Sequence, residues 1–292
     1  MEFLPLIVLS GLQVGCIYAM MALSYFVIIN ATGIINFAQG EWMMLSAILG
    51  ATLISAHMPY PLAVLAAIAA ATTVSLLAER LVIRPLQGRN ADINTLVVAL
   101  LGILVVTRYS TGLIFGREEV RLDGPFSPAP IVLGENLFVL PQTLFVFAAT
   151  AATFAALWLF LHHTTFGRSF RIAAIDPLGA QIVGVDLGRV RLAAFTIGGL
   201  IAAILAWFYG PLHSAGYLMG EAPGVKGFIA LIIGGLVSPL GALTGGLMLG
   251  MFEVAAAYYI GSLYSEAIAF VMLMLFLFVR PEGIIAPRLR AN

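Results

Sequence analysis

The sequence predicts an all-α polytopic membrane protein: a transmembrane helical bundle of 8–9 spans, with broken or re-entrant helices and a short cytoplasmic coupling helix. Three observations predict it. The 292 residues are 61% hydrophobic and only 10% charged, whereas a soluble domain keeps about a quarter of its residues charged to wet its surface. The charges are also clustered. No Asp, Glu, Lys or Arg occurs between Glu2 and Glu41, Glu41 and Glu79, Asp92 and Arg108, Arg191 and Glu221, or Glu266 and Arg280. Gaps of this order are what a helix needs to cross roughly 30 Å of hydrocarbon. Third, net charge is zero, so no basic arm points to nucleic acid.

The apolar stretches run, in order, over residues 6–29, 41–57, 61–83, 94–115, 140–163, 191–211, 226–237, 241–260 and 264–280. The first is preceded by no basic region and no small-residue cleavage site, so it reads as a retained span and not a signal peptide. Cys16, the one cysteine, lies in it; its expected role is that of a small packing residue. The seventh stretch is short, and Ser238-Pro239-Leu240-Gly241 interrupts the run into the eighth. Residues 226–237 therefore either cross fully or form a re-entrant half-helix, tolerated only where protein or a wet cavity covers its free backbone groups. With no sizeable soluble domain between the spans, residues 1–292 read as one transmembrane domain.

Lys and Arg set the expected orientation. With nine crossings, Arg80, Arg84, Arg89, Arg168, Arg171, Arg189, Arg191, Arg280, Arg288 and Arg290 share one side, and Arg108, Arg117, Arg121 and Lys226 the other. The richer side is expected to be cytoplasmic, with the N-terminus outside and the C-terminus inside. The 116–139 loop, carrying Glu118, Glu119, Asp123 and Glu135, then faces out.

Two regions break the apolar monotony. Asn30 to Glu41 places Asn36, Gln39 and Glu41 behind glycines at 33 and 40. Polar groups at membrane depth are costly and usually face a bundle interior or a wet cavity, and a broken helix frees backbone groups that bind a zwitterion. The segment is thus either a substrate-route break or the cytoplasmic turn between the first two spans. The second region, from Gly224 to Gly250, holds Gly241, Gly245, Gly246 and Gly250, spacings that let helices approach closely. Gly11 to Gly15 and Gly112 to Gly116 repeat the pattern. Glu253, inside the eighth span, either faces a pore or hydrogen-bonds a neighbouring helix.

No GxxxxGK[ST], GxSxG or HExxH occurs, and there are four histidines. No catalytic residue, metal site or cofactor is therefore expected. Residues 166–185 (FGRSFRIAAIDPLGAQIVGV) form a basic island between apolar spans. Asp176 suits an N-cap, Pro177 the first helical position and Gly184 the residue just past the end. A helix of about seven residues is unstable alone in water, so either lipid or a cytosolic partner holds it.

Four segments resemble the permease subunits of bacterial ABC importers for branched-chain amino acids. Gly15-Cys16-Ile17-Tyr18-Ala19 to Leu23 is similar to the family's GxxYALxALG, and Ile35-Asn36-Phe37-Ala38-Gln39-Gly40-Glu41 to its INFAHGE. Phe166-Gly167-Arg168 to Val183-Gly184 is similar to its FGRAxRAxAxDPxxAxxxGI coupling segment. Lys226 to Glu253, followed by Arg280-Pro281-Glu282-Gly283, resembles its C-terminal half. Gln39 stands where histidine is common in the family, Ser24 where glycine is, and Asn30 where a small residue is.

The resemblance, to the shorter of the two permeases, implies a bacterial inner-membrane subunit without catalysis of its own. It implies as partners a homologous second permease, two cytoplasmic ATP-binding subunits, a periplasmic solute-binding protein and membrane lipid. It also implies that about 164–190 is the coupling segment, with Phe166, Gly167, Arg168, Arg171, Asp176, Pro177 and Gly184 meeting an ATPase subunit. Asn36, Gln39, Glu41 and Glu253 are the expected substrate route. The cargo stays open between branched-chain amino acids and urea, amides or another small solute, and an ion-coupled secondary transporter is the alternative mechanism.

Overall fold

The computed structural model describes residues 4–126, 129–132 and 138–285. Glu2, Glu135, Arg288 and Arg290, which entered the charge patterns above, lie outside them. The elements are α1 (Leu4–Thr32), α2 (Gln39–Ser55), α3 (Tyr60–Ala78), a π-helical turn (Glu79–Ile83), α4 (Arg84–Gly88) and α5 (Ile93–Phe115). The two-residue strands β1 (Ile131–Val132) and β2 (Phe138–Val139) pair antiparallel. Then follow α6 (Pro141–His163), α7 (Thr165–Ile175), α8 (Pro177–Ile182), α9 (Leu187–Tyr209), α10 (Glu221–Gly234), α11 (Pro239–Tyr259) and α12 (Ser265–Val279).

Six helices among the described residues are long and apolar enough to cross a membrane: α1, the continuous Tyr60–Gly88 helix, α5, α6, α9 and α11. α2, α10 and α12 have 17, 14 and 15 residues, about 26, 21 and 23 Å at 1.5 Å per residue. Of the nine stretches read as crossings, six are therefore helices long enough to span and three are shorter helices. Local breaks explain the difference. α2 starts only after a non-helical run from Gly33 to Ala38, α10 stops before the Ser238 N-cap of α11, and a 3₁₀ turn at Ser262–Tyr264 delays α12.

The chain divides into two compact units. The first comprises Met1–Phe26, Phe126–Phe154 and Lys226–Asn292, and the second Val27–Pro125 and Ala155–Val225. In the second unit α2 is the central element. Every residue from Gln39 to Ile48 is buried, as befits a helix that is apolar all round. It packs between α3 and α9, with Trp42 against Ala78 and Ala202, and Leu45 against Ala71 and Ala203. Serine hydroxyls tie the same helices: Ser46 Oγ donates to the Ala203 carbonyl (2.9 Å) and Ser75 Oγ to that of Phe195 (2.8 Å).

In the first unit α1 and α11 are in backbone contact. A β-carbon on Gly246 would lie 2.4 Å from the Ala19 nitrogen, and one on Gly250 2.3 Å from that of Gly15. Two glycine pairs read separately from the sequence are thus the two sides of one helix crossing. The Gly112–Gly116 pair is different: Gly112 lies against the Tyr217 ring, and Gly116 ends α5 at φ +95°. The carbonyls at the end of α10 are satisfied from the C-terminal segment, Ile284 N donating to Ile233 O (2.9 Å) and Ile285 N to Gly234 O (3.0 Å).

Candidate functional site

The break after α1 is built locally. Thr32 Oγ1 donates to Ile28 O (2.7 Å) and accepts from Ile34 N (3.1 Å), and Gly33 takes φ +67°. The chain then runs inside the unit. Ile34 packs with Ile28, Ile83, Leu96, Leu100 and Phe195, and Ala38 with Trp42, Ala78 and Ala202. Asn36 is fully buried; its Oδ1 accepts from Ala38 N and its Nδ2 donates to Gln39 Oε1, each at 3.1 Å. This turn ties down its own backbone and sets the entry to α2, whose N-cap, Ala38, has no side-chain cap of its own.

Glu41, in the first turn of α2, is 1% exposed and accepts at Oε1 from Arg108 Nε (3.0 Å) and Nη2 (2.6 Å). Arg108, 13% exposed on α5, also donates from Nη1 to Glu221 at the start of α10 (3.1 Å). Gly40 lies so close to Gly220 that a β-carbon there would be 2.1 Å from the Gly220 oxygen. Asn36 and Gln39 therefore form one hydrogen-bonded pair, and Glu41 belongs to a separate polar cluster with Arg108 and Glu221. The segment is a largely buried, hydrogen-bonded link between α1 and α2, with Glu41 in the first turn of α2. Arg108, counted above with the charges of the outer side, lies within α5 and is paired with Glu41.

Glu253 is a separate case. Lys226 Nζ donates to its Oε1 at 2.6 Å and stands 5.7 Å from the Tyr18 ring centroid. Of the two roles considered for Glu253, the geometry has the hydrogen bond between helices. A third pair was not anticipated: Arg191 Nε donates to Glu79 Oε1 at 2.7 Å, with Glu79 1% exposed. For Glu41 and Glu253 the signal was the isolation of each acid in an apolar run, since a charge in a span needs a partner; Glu79, followed directly by Arg80, carried no such signal. Which base answers which acid is not written locally. In all three pairs the second carboxylate oxygen is buried with no hydrogen-bond partner among the described residues.

The basic island has the ends its residues predict. Thr164 Oγ1 accepts from Gly167 N (2.9 Å) and opens α7; a β-carbon on Gly167 would lie 2.1 Å from the Phe160 oxygen, so α7 folds tightly on the end of α6. Phe166 is half-buried beside Phe160, while Arg168 and Arg171 are exposed. Asp176 Oδ1 accepts from Leu178 N (3.0 Å), Pro177 is the first residue of α8, and Gly184 takes φ +87°. Gly184 N donates to Gln181 O (3.0 Å) and Val185 N to Ala180 O (2.9 Å), the paired bonds of a Schellman end. Ile172, Ile175, Leu178, Ile182 and Val183 are exposed, an apolar face on a helix pair otherwise flanked by arginines. Among the described residues no group of three His, Cys, Asp or Glu is placed to hold a metal ion.

Residues 7–277 match the family model described as branched-chain amino acid transport system / permease component. The chain is 30% identical to the high-affinity branched-chain amino acid transport system permease protein BraD of Pseudomonas aeruginosa, over 94% of each chain. It is 29% identical to the corresponding protein LivH of Escherichia coli K12, over 94% of this chain and 93% of that one. Among solved structures, PsaBC from Streptococcus pneumoniae in complex with Fab aligns with a TM-score of 0.51 at 14% identity, covering 94% of this chain and 91% of that one. At that identity the likeness is one of fold.

Proposed function

The chain belongs to the family of branched-chain amino acid transport system permease components, and from that premise we propose that it is the membrane subunit of an ATP-binding-cassette importer. It moves branched-chain or related hydrophobic amino acids into the cytoplasm by alternating access. ATP is hydrolysed on two cytoplasmic partner subunits, a homologous permease completes the pathway, and a periplasmic protein delivers the solute. The cytoplasmic side carries the C-terminus and the α7–α8 island. In this reading α2, α10 and α12 complete the crossings of one permease domain, α10 as a re-entrant half-helix whose end is covered by protein, as a broken span requires.

The observation that carries the reading is the α7–α8 island. A six-residue helix capped at both ends by Asp176 and Gly184 presents Leu178, Ile182 and Val183 outward. So short a helix gains its stability from packing against something else. The ATPase subunit is that partner, gripping Phe166, Gly167, Arg168, Arg171, Asp176, Pro177 and Gly184 through the island they shape. Asn36, Gln39 and Glu41 set the buried break that borders the solute route, and Glu253, the fourth residue assigned to the route, ties α11 to α10 through Lys226. An ion-coupled carrier is disfavoured because Glu253, the acid it would titrate, is held by Lys226. Reconstitution with the ATPase, second permease and binding protein tests the proposal: leucine, isoleucine and valine should stimulate both uptake and ATP hydrolysis. Stimulation by urea or amides alone would replace the cargo, and uptake that follows a proton or sodium gradient without ATP would replace the mechanism.

A further inference from the structure

We propose that Glu79, Arg191 and Gln87 form the joint through which movement of α7–α8 enters the membrane helices, making Glu79 and Arg191 positioning residues of the transport cycle. The inference rests on the reading of α7–α8 as the docking segment. Arg191 lies in α9, whose N-cap Asp186 follows the end of α8 by only a few residues. Its guanidinium reaches back to two points of the Tyr60–Gly88 helix, with Nε on Glu79 Oε1 (2.7 Å) and Nη1 on Gln87 Oε1. Those two points bracket the π-helical turn Glu79–Ile83. A π turn inside an α-helix is rare and tends to mark a functional position, because it holds one residue more than the ladder needs. Resolving it would rotate Gln87 by about 100° relative to Glu79, one residue's turn of an α-helix.

The clasp continues into the core along one line. Arg191, Phe195, Gly199 and Ala203 recur every fourth residue on α9, a single helix face. Ser75, one turn from Glu79, bonds the Phe195 carbonyl; a β-carbon on Gly199 would lie 2.5 Å from Ser75 Cβ; and Ser46 of α2 bonds the Ala203 carbonyl. A displacement of the α9 start therefore bears on α3 and α2 together. The clasp also has two arrangements to choose between. Glu79 Oε2 is buried and has no hydrogen-bond partner among the described residues, so the guanidinium fork can slide from one oxygen to both. A packed element with two discrete arrangements is what transmits coupling between distant sites.

The test uses the complete importer in proteoliposomes, with Glu79→Gln, Gln87→Ala and the double variant Glu79→Met/Arg191→Met. Apolar residues of similar volume replace a buried ion pair with little loss of stability, so the double variant separates coupling from folding. All three should assemble with ordinary basal ATP hydrolysis, while solute stimulation and uptake fall about fivefold or more in Glu79→Gln and the double variant, the lower end of site-to-site coupling. Gln87→Ala should fall less. Full stimulation in the assembled double variant overturns the proposal, as does a loss that only tracks the yield of assembled complex in all three. Leu178→Cys cross-linking in an otherwise unaltered complex separates the two levels. No cross-link to the ATPase removes the docking segment and the joint with it; a cross-link together with full coupling in the double variant removes the joint alone.

Discussion

Asn36 shows how one side chain can hold a break in place. Its Oδ1 takes the Ala38 N–H and its Nδ2 reaches Gln39, so the turn that ends the non-helical run also starts α2. Asn36→Leu leaves the buried Ala38 N–H unsatisfied, a cost of about 1–3 kcal/mol. The thermal midpoint of the purified chain and the yield of assembled complex should fall together, and Asn36→Asp, which keeps the acceptor, should recover much of both. A normal midpoint with lost uptake would instead place the amide on the solute route. Arg108 sets a second test. Arg108→Leu strands Glu41 as a buried charge and should destabilise by about 3–5 kcal/mol, whereas adding Glu41→Leu should recover most of the loss. A denaturation cycle over the two single variants and the double reads this directly. An additive double variant would mean that the pair is not coupled.

Among the elements, α8 and the α1–α11 crossing depend on glycine for different reasons. Gly184 is needed for its backbone, at φ +87°, where a β-branched residue is strained. Gly184→Val should loosen the end of α8, leaving membrane insertion intact while reducing the amount of ATPase subunit that co-purifies and its stimulation by solute. Retention of full stimulation would take α8 out of the coupling path. Gly246 is needed for space, because its neighbour is the Ala19 backbone, which cannot swing aside as a side chain can. Gly246→Val should force α1 and α11 apart and abolish recovery of folded protein. Gly102→Ala is the control: a β-carbon there meets nothing within 4 Å, and replacing a helical glycine should stabilise by up to about 1 kcal/mol. Equal damage from both would show that glycine content, and not the crossing, governs folding.

For the molecule as a whole, orientation follows from the charges left exposed once the buried pairs are set aside. Arg108, Arg191 and Lys226 are engaged inside helices with Glu41, Glu79 and Glu253 and carry little weight as loop charges. Among the described residues Arg80, Arg84, Arg89, Arg168, Arg171, Arg189 and Arg280 remain exposed on the side expected to be cytoplasmic, against Arg117 and Arg121 on the other. The bias therefore survives the correction. In a Cys16→Ala background, Glu118→Cys should react with an impermeant thiol reagent added outside intact cells, and Leu178→Cys only after permeabilisation. The reverse pattern would invert the topology and detach α7–α8 from any cytoplasmic partner.

The sequence alone determined the membrane class, the ends of α8 and the interruption between α10 and α11. Each rests on composition or on bonds that close within a few residues, as Asp176 to Leu178 and Val185 to Ala180 do. It also marked Glu41 and Glu253 as charges among apolar residues, which are costly unless they face a cavity or a partner. Only the tertiary structure decided the partners, because Glu41 meets Arg108 across 67 residues and Glu79 meets Arg191 across 112. The same holds for the meeting of Gly11 and Gly15 with Gly246 and Gly250, and for the π turn at Glu79. Hydropathy measures how apolar a stretch is, but not which face of which helix lies opposite, and the polar cluster and the clasp are made of those facing choices.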